Sequence, residues 1–318
     1  MLAPLVAIVA GLVVLVWSAD RFVFGAASLA THFSVSPLLI GMVIIGFGTS
    51  TPELTVSASA ALGGNGGLAL GNAYGSNIAN IALILGLVAL VRPITVQSSV
   101  VRMEIPILCG ITALAILLIV DESLSRLDAG IQIGVFVGVM IWSVRQARKA
   151  PTDVLAAQVD SMPEVHLPSV GRCVFWVAVG LVLLVASSQV LVWGAVQIAQ
   201  GLGVSDLIIG LTIVAIGTSL PELASSLAAA RRGNSDLALG NIIGSNLFNT
   251  LAVVGVAGLI HPMSVSTDIL HRDMPVLAGV TILLLVVCYR PRGAGTITRA
   301  EGVFLLACYG GYSVWLAQ

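Results

Sequence analysis

The sequence predicts an all-α polytopic membrane protein. Ten transmembrane helices form two inverted five-helix repeats, with helices broken near the membrane midplane. Three observations predict this. The 318-residue chain is 58% hydrophobic and only 9% charged, whereas a soluble domain carries about 25% charged residues. Its apolar runs are long enough to cross a bilayer. Residues 41–90 return at 210–259 without a gap, each match lying 169 positions further on, with 24 of 50 positions identical. Apolar helices share Leu, Val and Ala by composition alone. Sharing Pro, Glu, Asn, Gly and Ser in register marks an internal duplication.

Ten apolar segments follow in order: Leu2–Ala30, Pro37–Leu62, Leu68–Val91, Met103–Val120, Leu127–Val144, Val170–Gln200, Asp206–Ala230, Leu237–Ile260, Met274–Tyr289 and Ile297–Ala317. The first lacks a basic leader and runs into further apolar sequence, so it reads as a span and not a cleaved signal. The second, third, seventh and eighth are the duplicated stretch, joined by Gly- and Asn-rich turns such as Gly63-Gly64-Asn65-Gly66-Gly67. Ser205 or Asp206 reads as a helix cap. Pro93 and Pro262, and Pro106 and Pro275, carry the same offset into the later spans. The polar stretch from Arg145 to Ser169 holds three prolines and reads as a linker. The expected division is therefore a first repeat over 1–146, a linker over 147–169 and a second repeat over 170–318.

Five spans per repeat is an odd number, so the second repeat enters the membrane inverted. Inverted repeats of this kind belong to secondary transporters, with the site where the repeats meet. Eleven arginines and lysines fall on the side facing the linker, against Arg126 and Arg272 on the other, with Arg21 left inside the first span. The positive-inside rule then puts the linker in the cytoplasm and both termini outside.

Composition also excludes. A net charge of -1 with 14 Lys and Arg gives no case for nucleic acid. The four cysteines are scattered through apolar runs and form no Cys-x-x-Cys pair. No His-Glu-x-x-His or Gly-x-Ser-x-Gly motif is present, so the chain does not read as an enzyme and no cofactor is expected.

The duplicated stretches carry the chemistry. Gly48-Thr49-Ser50-Thr51-Pro52-Glu53-Leu54 is matched by Gly217-Thr218-Ser219-Leu220-Pro221-Glu222-Leu223. Gly75-Ser76-Asn77-Ile78-Ala79-Asn80 is matched by Gly244-Ser245-Asn246-Leu247-Phe248-Asn249. Counted from the turns, Glu53 and Asn80 lie roughly 15–20 Å from one surface, near the midplane of a core about 30 Å thick. Glu222 and Asn249 repeat this from the opposite face. An acidic residue at that depth costs about 3 kcal/mol on insertion scales, and such residues mark functional sites by default. A protonated structural glutamate is the blander alternative. Pro52 and Pro221 precede the glutamates and break each helix, freeing carbonyls near Gly46, Thr49, Ala215 and Thr218 to face a cavity. Thr49, Ser50, Thr218 and Ser219 add hydroxyls. Ser76 shares a helical face with Asn80, and Ser245 with Asn249. Gly71 and Gly75, with Gly240 and Gly244, read as close helix packing. Carboxylates, amide oxygens, hydroxyls and carbonyls without Cys or His form a set for hard cations, Ca²⁺ or Na⁺.

These stretches resemble the paired α-repeats of the calcium/cation antiporter superfamily, in particular the prokaryotic sodium/calcium exchangers. The resemblance implies ten helices, with the first and sixth sliding over a core of the rest, and Na⁺/Ca²⁺ exchange by alternating access. It implies Glu53 and Glu222 as shared cation ligands. It implies Thr49 and Thr218 as hydroxyl and carbonyl ligands, and Ser76, Ser245, Gly46 and Ala215 as ligands of flanking Na⁺ sites. Asn80 matches the central asparagine. Asn249 departs: known exchangers carry an aspartate there, which leaves the Na⁺ count and the choice of Na⁺ or H⁺ open. The chain reads Gly71-Asn72-Ala73-Tyr74-Gly75 and lacks the Gly-Asn-Ala-x-Glu motif of the proton-coupled branch.

Two other readings are weighed. A cation channel would share the midplane ring but need no counter-ion. An intramembrane hydrolase would use the paired carboxylates but lacks a nucleophile motif. Glu104 and Asp273 follow Arg102 and Arg272 and read as interfacial pairs. Asp20, beside Arg21, reads as snorkelling to the cytoplasmic surface.

Overall fold

The structure is a computed structural model that describes residues 2–97, 100–149, 168–202, 215–289 and 295–316. Helices dominate. They are α1 (Leu2–His32), α2 (Pro37–Thr49), α3 (Thr51–Leu62), α4 (Gly66–Val91), α5 (Val100–Leu118) and α6 (Arg126–Lys149). The second repeat gives α7 (Val170–Gly201), α8 (Ala215–Thr218), α9 (Leu220–Arg231), α10 (Ser235–Ile260), α11 (Ile269–Cys288) and α12 (Arg299–Leu316). Among the described residues, seven helices are long and apolar enough to cross a membrane, or eight counting α2 and α3 as one bent span. α9 and α12 complete the ten segments in the order expected. The start of the seventh segment, with Ser205 and Asp206, lies outside the described residues, as does most of the linker.

The turns explain where helices begin. Ser36 caps α2 ahead of Pro37, its hydroxyl accepting the Leu39 N–H at 3.3 Å. Asn65 caps α4 by accepting from Leu68 N–H at 3.1 Å. Gly64 and Gly233 both take positive φ, 72° and 82°, a conformation that costs glycine nothing. α6 and α12 open on capping boxes: Ser125 with Asp128, and Thr298 with Glu301. These boxes are also repeat-related, but 298 − 125 gives an offset of 173, four more than in the core stretches.

The inversion is visible in which turns meet. A side chain on Gly66 would press on Met263, whereas the Arg92 guanidinium bonds the carbonyls of Ala230 and Arg231. Gly66 and Arg92 flank opposite ends of α4, so the two repeat-related turns sit at opposite ends of the molecule. Two short antiparallel ladders close those ends. β1 (Ile94–Val96) pairs with β4 (Gly295–Ile297), and β2 (Ser123–Leu124) pairs with β3 (Met263–Ser264). Each ladder joins one repeat to the other.

Two apolar clusters form. The larger is built from α4, α5, α10 and α11 and contains no residue of α1 or α7. The smaller joins Leu15, Ala19, Phe22 and Val23 of α1 to Leu184 of α7 and to Ala228, Ala229, Leu237 and Ala238 of α9 and α10. α1 and α7 thus form a separate antiparallel pair laid on the core. Four glycines let them touch. A Cβ on Gly11 would meet Ser187 O at 3.1 Å, on Gly25 Cys173 O at 2.8 Å, on Gly180 Phe22 Cα at 2.8 Å and on Gly194 Pro4 O at 2.7 Å. Gly11 and Gly180 are repeat-related, as are Gly25 and Gly194, so the crossing is itself two-fold.

Charges at the ends find partners. Asp20 and Arg232 form an ion pair at 2.6 Å, tying α1 to the end of α9. Arg21 lies over the rings of Trp17 and Trp176. Arg272 pairs with Asp273, which also accepts from Tyr312. Among the described residues no ion pair joins Arg102 to Glu104, so the interfacial pair expected in the first repeat is not made.

Candidate functional site

The two broken helices bring the signature stretches together. α2 and α3 meet at 45° around Ser50, whose φ of -82° and ψ of 10° leave the helical region. Ser219 repeats this between α8 and α9, at -89° and 7°. Pro52 and Pro221 fall in the first turn of the new helix, where the missing N–H leaves no bond unmade. The prolines therefore start helices here, and the break itself is at the preceding serine. Glu53 and Glu222 follow in that first turn, where the helix N-terminus favours negative charge.

A second irregularity was not expected from sequence. Each core helix widens into a π-helical turn: Ala79–Ile84 in α4 and Phe248–Val253 in α10. The offset is again 169. These turns hold Asn80 and Asn249. Such wide turns inside α-helices gather at functional sites. Three further π-helical turns are Gly41–Gly46, which carries Gly46, and the repeat-related Val100–Glu104 and Ile269–Asp273.

The predicted residues converge. Glu53 and Glu222 are both 0% exposed and lie within coulombic range of each other. Thr49, Ser50, Ser76, Asn80, Ser219, Ser245 and Asn249 are also buried, and Thr218 is half-buried. Ser50 donates to Glu222 Oε1 at 2.9 Å, across the repeats. Ser76 and Ser219 flank the Glu53 carboxylate without reaching hydrogen-bond geometry. The single Thr49 hydroxyl proton has the Ile45 carbonyl at 3.0 Å and Asn241 Oδ1 at 3.2 Å as acceptors within reach. Ser245 donates to the Gly46 carbonyl at 3.1 Å, which also accepts the Ser50 N–H. Gly46 is thus an engaged carbonyl and not a freed one. α8 starts at Ala215, whose surroundings lie outside the described residues.

Among the described residues several buried polar atoms have no hydrogen-bond partner, and seven of them belong to this set. They are both carboxylate oxygens of Glu53, Oε2 of Glu222, Oδ1 of Asn80, both amide atoms of Asn249, and the Ser219 hydroxyl. Each unmade bond costs about 1–3 kcal/mol, more for charged groups. Apart from the Asn249 amide nitrogen, these atoms are all oxygens. Among the described residues no group of three His, Cys, Asp or Glu forms a transition-metal site.

Asn72 and Asn241 complete the frame and escaped the sequence reading. Asn72 donates to the Glu53 carbonyl at 3.1 Å and to Ser57 at 2.9 Å. The Asn241 NH₂ shares its two hydrogens among the Glu222 carbonyl at 3.1 Å, Ser225 at 3.0 Å and Ser226 at 2.7 Å. Each clamps the glutamate-bearing helix to the next. Their signal was present, since both follow the matched glycines Gly71 and Gly240. In the second repeat those glycines pack as expected, while the segment that would face Gly71 and Gly75 by the same symmetry lies outside the described residues. A side chain on Gly240 or Gly244 would strike the backbone of Leu38 or Met42, whereas Gly71 and Gly75 have no described neighbour within 4 Å.

Comparison with known proteins agrees with this arrangement. The family model described as sodium/calcium exchanger protein matches residues 3–145 and 173–318. CaxA of Alkalimonas amylolytica is 45% identical over 318 residues, covering 99% of each chain. The inner membrane protein YrbG of Escherichia coli is 39% identical, over 100% of this chain and 97% of its own. A solved structure of the sodium-calcium exchanger NCX_Mj superposes with a TM-score of 0.85 at 31% identity, covering 100% of this chain and 99% of that one. With the inverted repeats, the broken helices and the buried oxygen cage in place, these matches make the chain a member of the sodium/calcium exchanger family.

Proposed function

We propose that this chain is a secondary active antiporter that exchanges Na⁺ for Ca²⁺ by alternating access, in the direction of Ca²⁺ extrusion. One observation carries the reading. Two buried carboxylates, one from each inverted repeat, meet among oxygen atoms that have no partner. Two negative charges balance one Ca²⁺ or two Na⁺, and Ca²⁺ takes about 6–8 oxygens. Glu53 and Glu222 are the shared ligands. Asn80, Asn249, Thr49, Thr218, Ser50, Ser219, Ser76 and Ser245 supply amide and hydroxyl oxygens and Ala215 a carbonyl, whereas the Gly46 carbonyl is already taken by Ser245 and the Ser50 N–H. That NCX_Mj was solved after soaking in Na⁺ and Ca²⁺ supports the same pair of ions here.

The functional division is residues 1–146 as the first repeat, 147–169 as the linker and 170–318 as the second repeat. The arginine-rich end faces the cytoplasm, with both termini outside. A cysteine in place of Gly63 is then labelled by an impermeant maleimide in right-side-out vesicles, and one in place of Arg231 is not. The opposite labelling pattern overturns this orientation.

The exchange itself is tested by Ca²⁺ uptake into Na⁺-loaded proteoliposomes, against K⁺-loaded and pH-gradient controls. Uptake that requires internal Na⁺ is expected. Uptake driven only by the pH gradient would make H⁺ the counter-ion, and flux without any counter-ion would make the protein a channel.

A further inference from the structure

We infer that Asn246, outside the ligand set, is the positioning residue that aims the Asn80 oxygen at the cation. The inference rests on the reading of Asn80 as a ligand.

A carboxamide presents an oxygen at one end and an NH₂ at the other, and only the oxygen coordinates a cation. Something must fix which end faces the site. Here a chain of hydrogen bonds does so, and its polarity is set by a backbone carbonyl. Asn77 and Asn246 are repeat-related and face each other. Each donates its side-chain NH₂ to the other's main-chain carbonyl at 3.4 Å. A carbonyl only accepts, so the NH₂ of Asn246 must point at Asn77 and its Oδ1 must point away. That Oδ1 accepts the Asn80 NH₂ at 3.0 Å. Asn80 is therefore left with its oxygen turned outward, buried and without a partner. The bland alternative, an asparagine that merely fills a helix contact, gives no reason for this polarity.

The other repeat shows what happens without the relay. By symmetry, Asn77 Oδ1 should accept the Asn249 NH₂. It does not: Asn77 Oδ1 and both Asn249 amide atoms are unpartnered. Asn77 spends its second hydrogen on the Thr250 hydroxyl at 2.7 Å, and the repeat mate of Thr250 is Ile81. One amide of the cage is oriented and the other is not, although the backbone around them is the same.

The test is a double-variant comparison in proteoliposomes, reading the KM for Ca²⁺ separately from the maximal rate. Asn246→Ala is expected to raise KM about tenfold with the maximal rate within twofold. Asn246→Ser, which keeps a polar group against the Asn77 carbonyl and protects the fold, is expected to show the same rise. In an Asn80→Asp background the atom facing Asn246 Oδ1 can no longer donate to it, so the relay is already broken and Asn246→Ala should not raise KM further. Equal shifts in both backgrounds would make Asn246 a packing residue and overturn the inference. An active wild type with an unaffected Asn246→Ala overturns this inference alone. A wild type that moves neither Ca²⁺ nor Na⁺ overturns the exchange reading and this one with it.

Discussion

The Ser50 hydroxyl donates a 2.9 Å hydrogen bond to Glu222, a carboxylate that belongs to the other repeat. The two halves thus build one site by reaching across the line between them. The bond is to a buried carboxylate, so it is worth about 1.5–3 kcal/mol. Its repeat mate, Ser219, makes no such bond to Glu53. Ser50→Ala is therefore expected to weaken Ca²⁺ affinity roughly tenfold or more, at about 1.4 kcal/mol per tenfold, and Ser219→Ala to weaken it less. Calorimetric titration of both variants with Ca²⁺ checks this; equal losses would show that the asymmetry has no energetic weight.

Removing either charge should be more severe. Glu53→Gln or Glu222→Gln leaves a buried divalent ion half neutralised. Breaking one partner of a buried charge pair costs about 3–5 kcal/mol. Na⁺-driven Ca²⁺ uptake is expected to fall at least a hundredfold in each, with protein yield and gel-filtration profile unchanged. Uptake near the wild-type rate in either variant contradicts the assignment of that glutamate.

The crossing of α1 and α7 depends on absent side chains. In Gly180→Ala the new methyl would sit 2.8 Å from the Phe22 backbone, and the helices must part to admit it. Overpacking of this kind costs about 1–3 kcal/mol. Gly171→Ala, near the start of α7, meets no described residue within 4 Å. Thermal unfolding in detergent should show a drop of several degrees for the first and no loss for the second.

The Asp20–Arg232 ion pair should matter little to stability. Its side chains are 46% and 32% exposed, and pairs of that kind are worth about 0–1 kcal/mol. Asp20→Asn is expected to leave the melting temperature nearly unchanged. A large drop would show that the tie between α1 and α9 holds more than surface charge.

Much of this was legible in the sequence because the duplication placed polar residues in register. Glu53 and Glu222, Asn80 and Asn249, and the paired serines stood out against apolar helices, where each such residue carries a desolvation cost. Asn72, Asn77, Asn241 and Asn246 stand in the same register, but their part is not legible there, because it lies in bonds to main-chain carbonyls and side chains that only the packing brings together. The π-helical turns left no mark at all. Ala79–Ile84 and Phe248–Val253 share only Asn80 with Asn249, so the widening comes from packing and not from a local signal. Pro52 pointed to the right turn but for the wrong step, since proline opens α3 and Ser50 ends α2.

The strand pair β1 and β4 sets a condition on synthesis. Ile94 pairs with Ile297, about 200 residues later. At roughly 5–20 residues per second, β1 leaves the ribosome some 10–40 s before its partner exists. During that time its edge is open and the Arg92 end of α4 is uncovered. The first five spans therefore rest in the bilayer half-built, and β4 adds its tie to β1 only once it emerges.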